Sequence, residues 1–203
     1  MRLISLVTTA SCAAAAAAAP YDFIQAQANA TLRQISGASG SNVYPSNGQP
    51  GVYGWDLSSA TSWTSGFFPA TLFKLANLTY ASNAALSAYW YGEAATLTAG
   101  LASNQYNTGT HDVGFIMFYT YGQMFEMTGD PLAKTTLLNT AASLATRFVP
   151  SVGCTRSWNS PASENEVLVI ADNLMNLELL WWAGAQGNVT YTNMAASHAE
   201  CVS

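Results

Sequence analysis

Two aspartates stand where this 203-residue chain could do chemistry. Asp112 follows His111 in NTGTHDVGFIMF (107–118), at the mouth of an apolar run. Asp172 opens the apolar part of VLVIADNLMNLELLWW (167–182). A lone Asp in such a place reads as a helix N-cap, because its carboxylate accepts an orphan backbone N–H. Two in the same setting suggest more. Paired carboxylates across one pocket serve glycosidic chemistry, where one gives a proton and the other activates water or orients the sugar. Trp63 and Trp158 lie in the loops ahead of comparable helices. Their faces suit a sugar ring, so a carbohydrate cleft is expected at one rim. His111 and His198 are the two histidines, and neither sits in a zinc-type spacing, so no metal is expected. No Gly-x-Ser-x-Gly elbow and no glycine-rich phosphate loop occur, and no cofactor is expected.

The elements that hold these residues are helical. The sequence carries a loose repeat: Gly66-Phe67 matches Gly114-Phe115 at an offset of 48, and Leu97 matches Leu144 at 47. A third copy starts at Asp172, with AASHA (195–199) echoing AASLA (141–145). Each copy reads as a helix, a short turn and a second helix. Asp130-Pro131 marks one start, an N-cap followed by Pro at the first helical position. From Leu132 to Ala145 apolar residues recur at the 3.6 period. The first helix of each copy is apolar nearly all round and the second carries more Ser, Thr and Asn, as inner and outer layers would. Helix pairs of this period point to an α/α toroid or an α-solenoid. Inner helices of a toroid run the same way, so Asp112 and Asp172 are expected at a common mouth. Two long loops rich in Gly, Pro, Trp and Tyr flank them, a feature more often functional than accidental.

Composition narrows the partners. Half the residues are hydrophobic and only 8% are charged, so the surface must be built from Ser, Thr, Asn, Gln and Gly. Six Lys and Arg against eleven Asp and Glu give a net charge of −5. No basic patch can form, which argues against nucleic acid and anionic membranes. Arg2, the apolar run that follows it and the small residues at Ala17 to Ala19 read as a secretory signal peptide over 1–19, leaving 20–203 as the mature domain. An extracellular protein is therefore expected. Three sequons, at Asn29, Asn77 and Asn188, agree with that route. Cys154 and Cys201 remain after the leader; an oxidising compartment permits one disulfide, and two free thiols are the other reading.

At these residues the sequence resembles glycoside hydrolase family 88, the unsaturated glucuronyl hydrolases. The matching stretches are SWTSGFFPATLFKL, HDVGFIMFYTYGQMFEMTGD, AASLATRFVPSVGCTRSW and ADNLMNLELLWWA, in order between about Trp55 and Trp182. The resemblance implies an all-α fold, an (α/α)6 toroid of which this chain carries about seven of twelve helices. It implies Asp172 as proton donor and general acid/base, Asp112 as second essential carboxylate, and Trp63 and Trp158 around the unsaturated sugar. It further implies a substrate left by a polysaccharide lyase, an oligosaccharide whose terminal uronate carries a C4=C5 enol ether. An unsaturated rhamnogalacturonyl hydrolase of the same fold, or an inert secreted carbohydrate-binding fragment, are the alternatives.

Overall fold

The computed structural model describes residues 7–41, 43–51, 53–159 and 166–202, and of residues 7–20 the backbone alone. Of the leader expected over 1–19, residues 1–6 fall outside the described residues and 7–19 have helical backbone at the start of the first helix. Seven α-helices are present among them. Helix α1 spans Val7–Ser36, α2 Phe67–Thr79 and α3 Ala84–Ala99. Helix α4 runs as Val113–Met117, a π-helical turn Phe118–Gly122, and Gln123–Thr128. Helix α5 spans Pro131–Ala145. A 3-10 turn, Ala171–Asn176, leads into α6, Leu177–Ala185, and α7 closes the described chain at Val189–Cys201.

Local chemistry sets the boundaries. Asn83, Asp130 and Asn188 cap α3, α5 and α7, accepting from the backbone N–H of Leu86, Leu132 and Thr190 at 3.0, 2.8 and 3.2 Å. Pro131 fills the first position of α5, where its missing N–H costs nothing. Gly129, with φ +68°, ends α4 in the left-handed region. The repeat read from the sequence is thus three helical hairpins: α2–α3, α4–α5 and α6–α7.

Helix α4 packs on both α2 and α6 and is buried from Val113 to Met117. Its Phe115, Ile116 and Met117 join Phe73, Trp90, Leu144 and Leu179 in one core. Burying each such side chain contributes roughly 1.5–3 kcal/mol. The inner helices close up most tightly at their N-terminal ends. A Cβ on Gly66 would lie 2.7 Å from the Ile116 carbonyl oxygen, and one on Gly114 would strike the side chain of Asn176. Their opposite surfaces stay open. Phe67, Phe118, Tyr119, Glu178 and Trp182 line an inward cavity of about 630 Å³. No helix among the described residues is long and apolar enough to cross a membrane.

Two short hairpins brace the layers. Strands β1 (Tyr44–Gly48) and β2 (Trp55–Ser58) pair antiparallel between α1 and α2. Gln34 of α1 fastens them, its amide exchanging hydrogen bonds with the Trp55 backbone at 2.7 and 3.0 Å. Tyr44 donates to the Leu97 carbonyl, and burial pushes its hydroxyl up to about 12. Strands β3 (Phe148–Val149) and β4 (Cys154–Thr155) form the second hairpin. A disulfide from Cys154 to Cys201 ties it to the end of α7, with Cα atoms 6.0 Å apart. Closing a loop of 47 residues adds roughly 4 kcal/mol by chain entropy.

That hairpin buries His198 completely, although α7 is an outer helix. Its Nδ1 accepts the Thr155 backbone N–H at 3.0 Å, so Nε2 carries the proton, buried without a partner. Burial holds this imidazole below its ordinary value. The unfolded chain therefore binds the proton more readily than the folded one. Stability is complete above an unfolded value of about 6.5 and declines as pH falls through it. The urea midpoint is expected to drop between pH 7.5 and pH 5, and to drop less in His198→Gln. Equal declines in both proteins would remove His198 from the account.

Candidate active site

Asp112 takes the N-cap position of α4, yet its side chain caps nothing. One carboxylate oxygen accepts the Thr110 hydroxyl at 2.6 Å, and the other lies 3.1 Å from His111 Nε2. The cap comes from another helix: Asn176 Oδ1 accepts the Phe115 backbone N–H at 3.1 Å. That substitution frees Asp112 for other use and overturns the simple capping reading.

His111 is 3% exposed and fixed at both nitrogens. Nδ1 lies 2.7 Å from the Ser157 carbonyl. A carbonyl only accepts, so Nδ1 carries a proton. Nε2 then faces Asp112 at 3.1 Å and Asp172 Oδ2 at 3.1 Å. Two carboxylates and an imidazole lone pair repel, so this contact needs a proton held among the three groups. Side-chain exposure separates the acids: 38% for Asp172 against 17% for Asp112. Asp172 is the more exposed of the two.

A buried polar network holds the cluster from behind. Asn176 donates to Asn173 at 3.1 Å, and Asn173 donates to the Thr155 carbonyl and Ser157 Oγ, both at 2.9 Å. Ser157 Oγ also accepts the Ile170 N–H at 2.9 Å, which sets the extended segment just ahead of Asp172. Arg147 binds the loops together. It donates to the carbonyls of Thr108, Arg156 and Ser157 at 2.6, 3.1 and 3.0 Å, and to Asn159 Oδ1 at 2.8 Å. One carbonyl, that of Ser157, thus serves both His111 and Arg147. Burial and the nearby Arg156 weaken the hold of Arg147 on its proton, while attraction to Asp112 strengthens it.

Trp158, 48% exposed, stands edge-on to His111 with centroids 6.3 Å apart. Trp63, 57% exposed, is set further off. It meets Phe67 edge-on at 5.9 Å, and Phe67 stacks on Phe115 of α4 at 5.8 Å. The fold therefore gathers Asp112, Asp172 and Trp158 around His111, with Trp63 at the same end through a chain of rings. Ser157, Asn173, Asn176 and Arg147 carry no local sequence signal for this role. For His111 the available signal is its place directly beside Asp112. Although no zinc-type spacing occurs in the sequence, the fold brings ligand atoms of His111, Asp112 and Asp172 within 4.8 Å of one another. Hydrogen-bond distances between them show that a proton satisfies the same geometry. Of the sequons, Asn77 and Asn188 are exposed, whereas Asn29 is half-buried and accepts the Tyr89 hydroxyl at 2.8 Å.

Helical hairpins with a carboxylate pair at one mouth describe part of an α/α toroid. No protein-family model matches the chain. Among curated proteins, the unsaturated glucuronyl hydrolase of Formosa agariphila is 34% identical over 139 residues, which is 68% of this chain and 33% of that protein. The crystal structure of an unsaturated glucuronyl hydrolase specific for heparin superposes with a TM-score of 0.70 at 34% identity, covering 84% of this chain and 44% of the other. Another solved hydrolase of this kind, with the saccharide dGlcA-Glc-Rha-Glc, gives 0.68 at 26% identity over 83% and 44%. Over the part of the fold that it spans, the chain belongs with the unsaturated glucuronyl hydrolases, glycoside hydrolase family 88. It spans a third of the curated relative and under half of either solved protein.

Proposed function

We propose that this chain carries the acid/base centre of a secreted unsaturated glucuronyl hydrolase, with an oligosaccharide bearing a 4,5-unsaturated terminal uronate as substrate. The observation that carries the reading is the shared contact of His111 Nε2 with Asp112 and Asp172. An enol ether is cleaved by protonation at C4, which leaves an oxocarbenium-like centre at C5. Water adds there, and the hemiketal opens with release of the next sugar. That sequence needs one proton donor, one group to steady the developing charge, and a pocket. Asp172, the more exposed acid, gives the proton. Once ionised, Asp172 takes a proton back from the attacking water, while His111, itself oriented by the Ser157 carbonyl, holds it in place. Asp112, at the back of the cluster, faces the cationic stage as a carboxylate. Trp158 supplies the ring face against which the uronate lies. The relatives support the substrate class, since one is specific for heparin and another holds a saccharide beginning with dGlcA.

We place the mature domain at 20–203 after a leader over 1–19, in an extracellular setting. Asn77 and Asn188, both exposed, are the glycan acceptors proposed there. The direct assay is loss of enol-ether absorbance from lyase-generated disaccharides, run with and without a chelator. The absorbance is expected to decay at the same rate in both. No decay with any unsaturated uronyl disaccharide would sink the reading, and loss on chelation would show that a metal, and not a proton, occupies the cluster.

A further inference from the structure

Behind the cluster, against the β3–β4 hairpin, lies a second cavity of about 430 Å³. Thr108, Thr146, Arg147, Pro150, Arg156 and Asn159 line it, and no acidic side chain does among the described residues. Two of the chain's six Lys and Arg meet there, in a protein of net charge −5. Arg147 is only 2% exposed, and its four hydrogen bonds all go to neutral acceptors. No carboxylate stands within ion-pair distance of either guanidinium among the described residues. Two neighbouring cations, one of them buried, without an anion between them are unfavourable unless a counter-charge arrives. Burial first and Arg156 second weaken the hold of Arg147 on its proton, and Asp112 offsets only part of this.

We propose that this cavity is an oxyanion site that takes the sulfate group of a saccharide. Among the described residues Arg147 keeps one Nη2–H uncommitted, and half-buried Arg156 offers a whole fork, the geometry that holds two oxygens of one anion. The Thr108 hydroxyl adds a neutral donor. The volume falls within the range of small-ligand sites and leaves room for a sugar ring beside the anionic group. The site also touches the mouth described above. Thr108 and Asn159, both tied to Arg147, lie close in sequence to His111 and Trp158. A sulfate seated here orders the two loops that carry those residues. The oxyanion site stands on its own geometry, and the choice of a saccharide as carrier rests on the hydrolase reading.

Calorimetric titration at low ionic strength tests it without turnover. Glucose 6-sulfate, glucose and sodium sulfate are each added to the wild-type protein, to Arg156→Gln and to Arg156→Lys, with thermal melting to establish that all three are folded. Glucose 6-sulfate is expected to bind and glucose not to bind at the same concentration. Affinity should fall at least tenfold in Arg156→Gln and less in Arg156→Lys, and should weaken as salt is raised. Sodium sulfate binding as tightly as the sulfated sugar would uphold the oxyanion site and assign it to free ions. Equal binding of glucose and glucose 6-sulfate, or unchanged affinity in Arg156→Gln, would overturn the proposal. Either result leaves the absorbance assay untouched.

Discussion

Asp172→Asn is expected to lower turnover of unsaturated uronyl disaccharides by about a thousandfold, in the range that positioned acid/base groups contribute. The change keeps the shape of the side chain and its contact with His111 but removes the transferable proton. Asp172 has few structural duties: Oδ2 meets His111, and Oδ1 is buried without a partner. Folding stability should therefore change little, and binding of the saccharide should persist. Asp112→Asn should also impair turnover, with a larger effect on the fold, because Asp112 is less exposed and holds the Thr110 hydroxyl. Absorbance assays beside urea unfolding separate these outcomes. Near-normal turnover in folded Asp172→Asn would remove this residue from the chemistry and leave His111 or Asp112 as the donor.

Arg147→Ala is expected to produce the largest loss of stability among single changes near the site. Four acceptors lose their donor at once: three loop carbonyls and Asn159 Oδ1. Leaving such buried groups unpaired costs about 1–3 kcal/mol each where water cannot replace the bond. Relaxation of the loops returns part of that, so a net loss of about 3–5 kcal/mol is expected. Arg147→Lys keeps the charge but cannot span all four acceptors, and should recover only part of the stability. A positioning role makes a further demand. The Ser157 carbonyl, released from Arg147, should hold His111 less firmly. The Nδ1–H resonance of His111 should then exchange faster in Arg147→Lys under conditions where the protein is fully folded. An unchanged resonance would restrict Arg147 to a structural part.

The helical hairpins were legible because their signals are local. Asp130-Pro131, the 3.6-residue stripe of α5 and the offsets near 48 all act within a few turns or repeat directly. The meeting of Asp112 and Asp172 followed from a rule of topology, since inner helices of a toroid share one direction. The supporting residues were not legible, for an equally physical reason. Asn176 caps Phe115 across 61 positions and Arg147 reaches Thr108 across 39, so neither leaves a local pattern. His198 reads as a residue of an outer helix, yet the β3–β4 hairpin folds over it and shuts it from water. The π-helical turn in α4 likewise has no periodic mark, since Phe118 to Gly122 continue the apolar run around it.

A crystal structure of Asp172→Asn with an unsaturated uronyl disaccharide would show whether the two acids share one sugar site. The uronate ring should lie against Trp158, with its C4 atom within about 3.5 Å of the side chain at position 172. A sugar seated away from His111, or residues 112 and 172 opening onto separate faces of the molecule, would contradict the account.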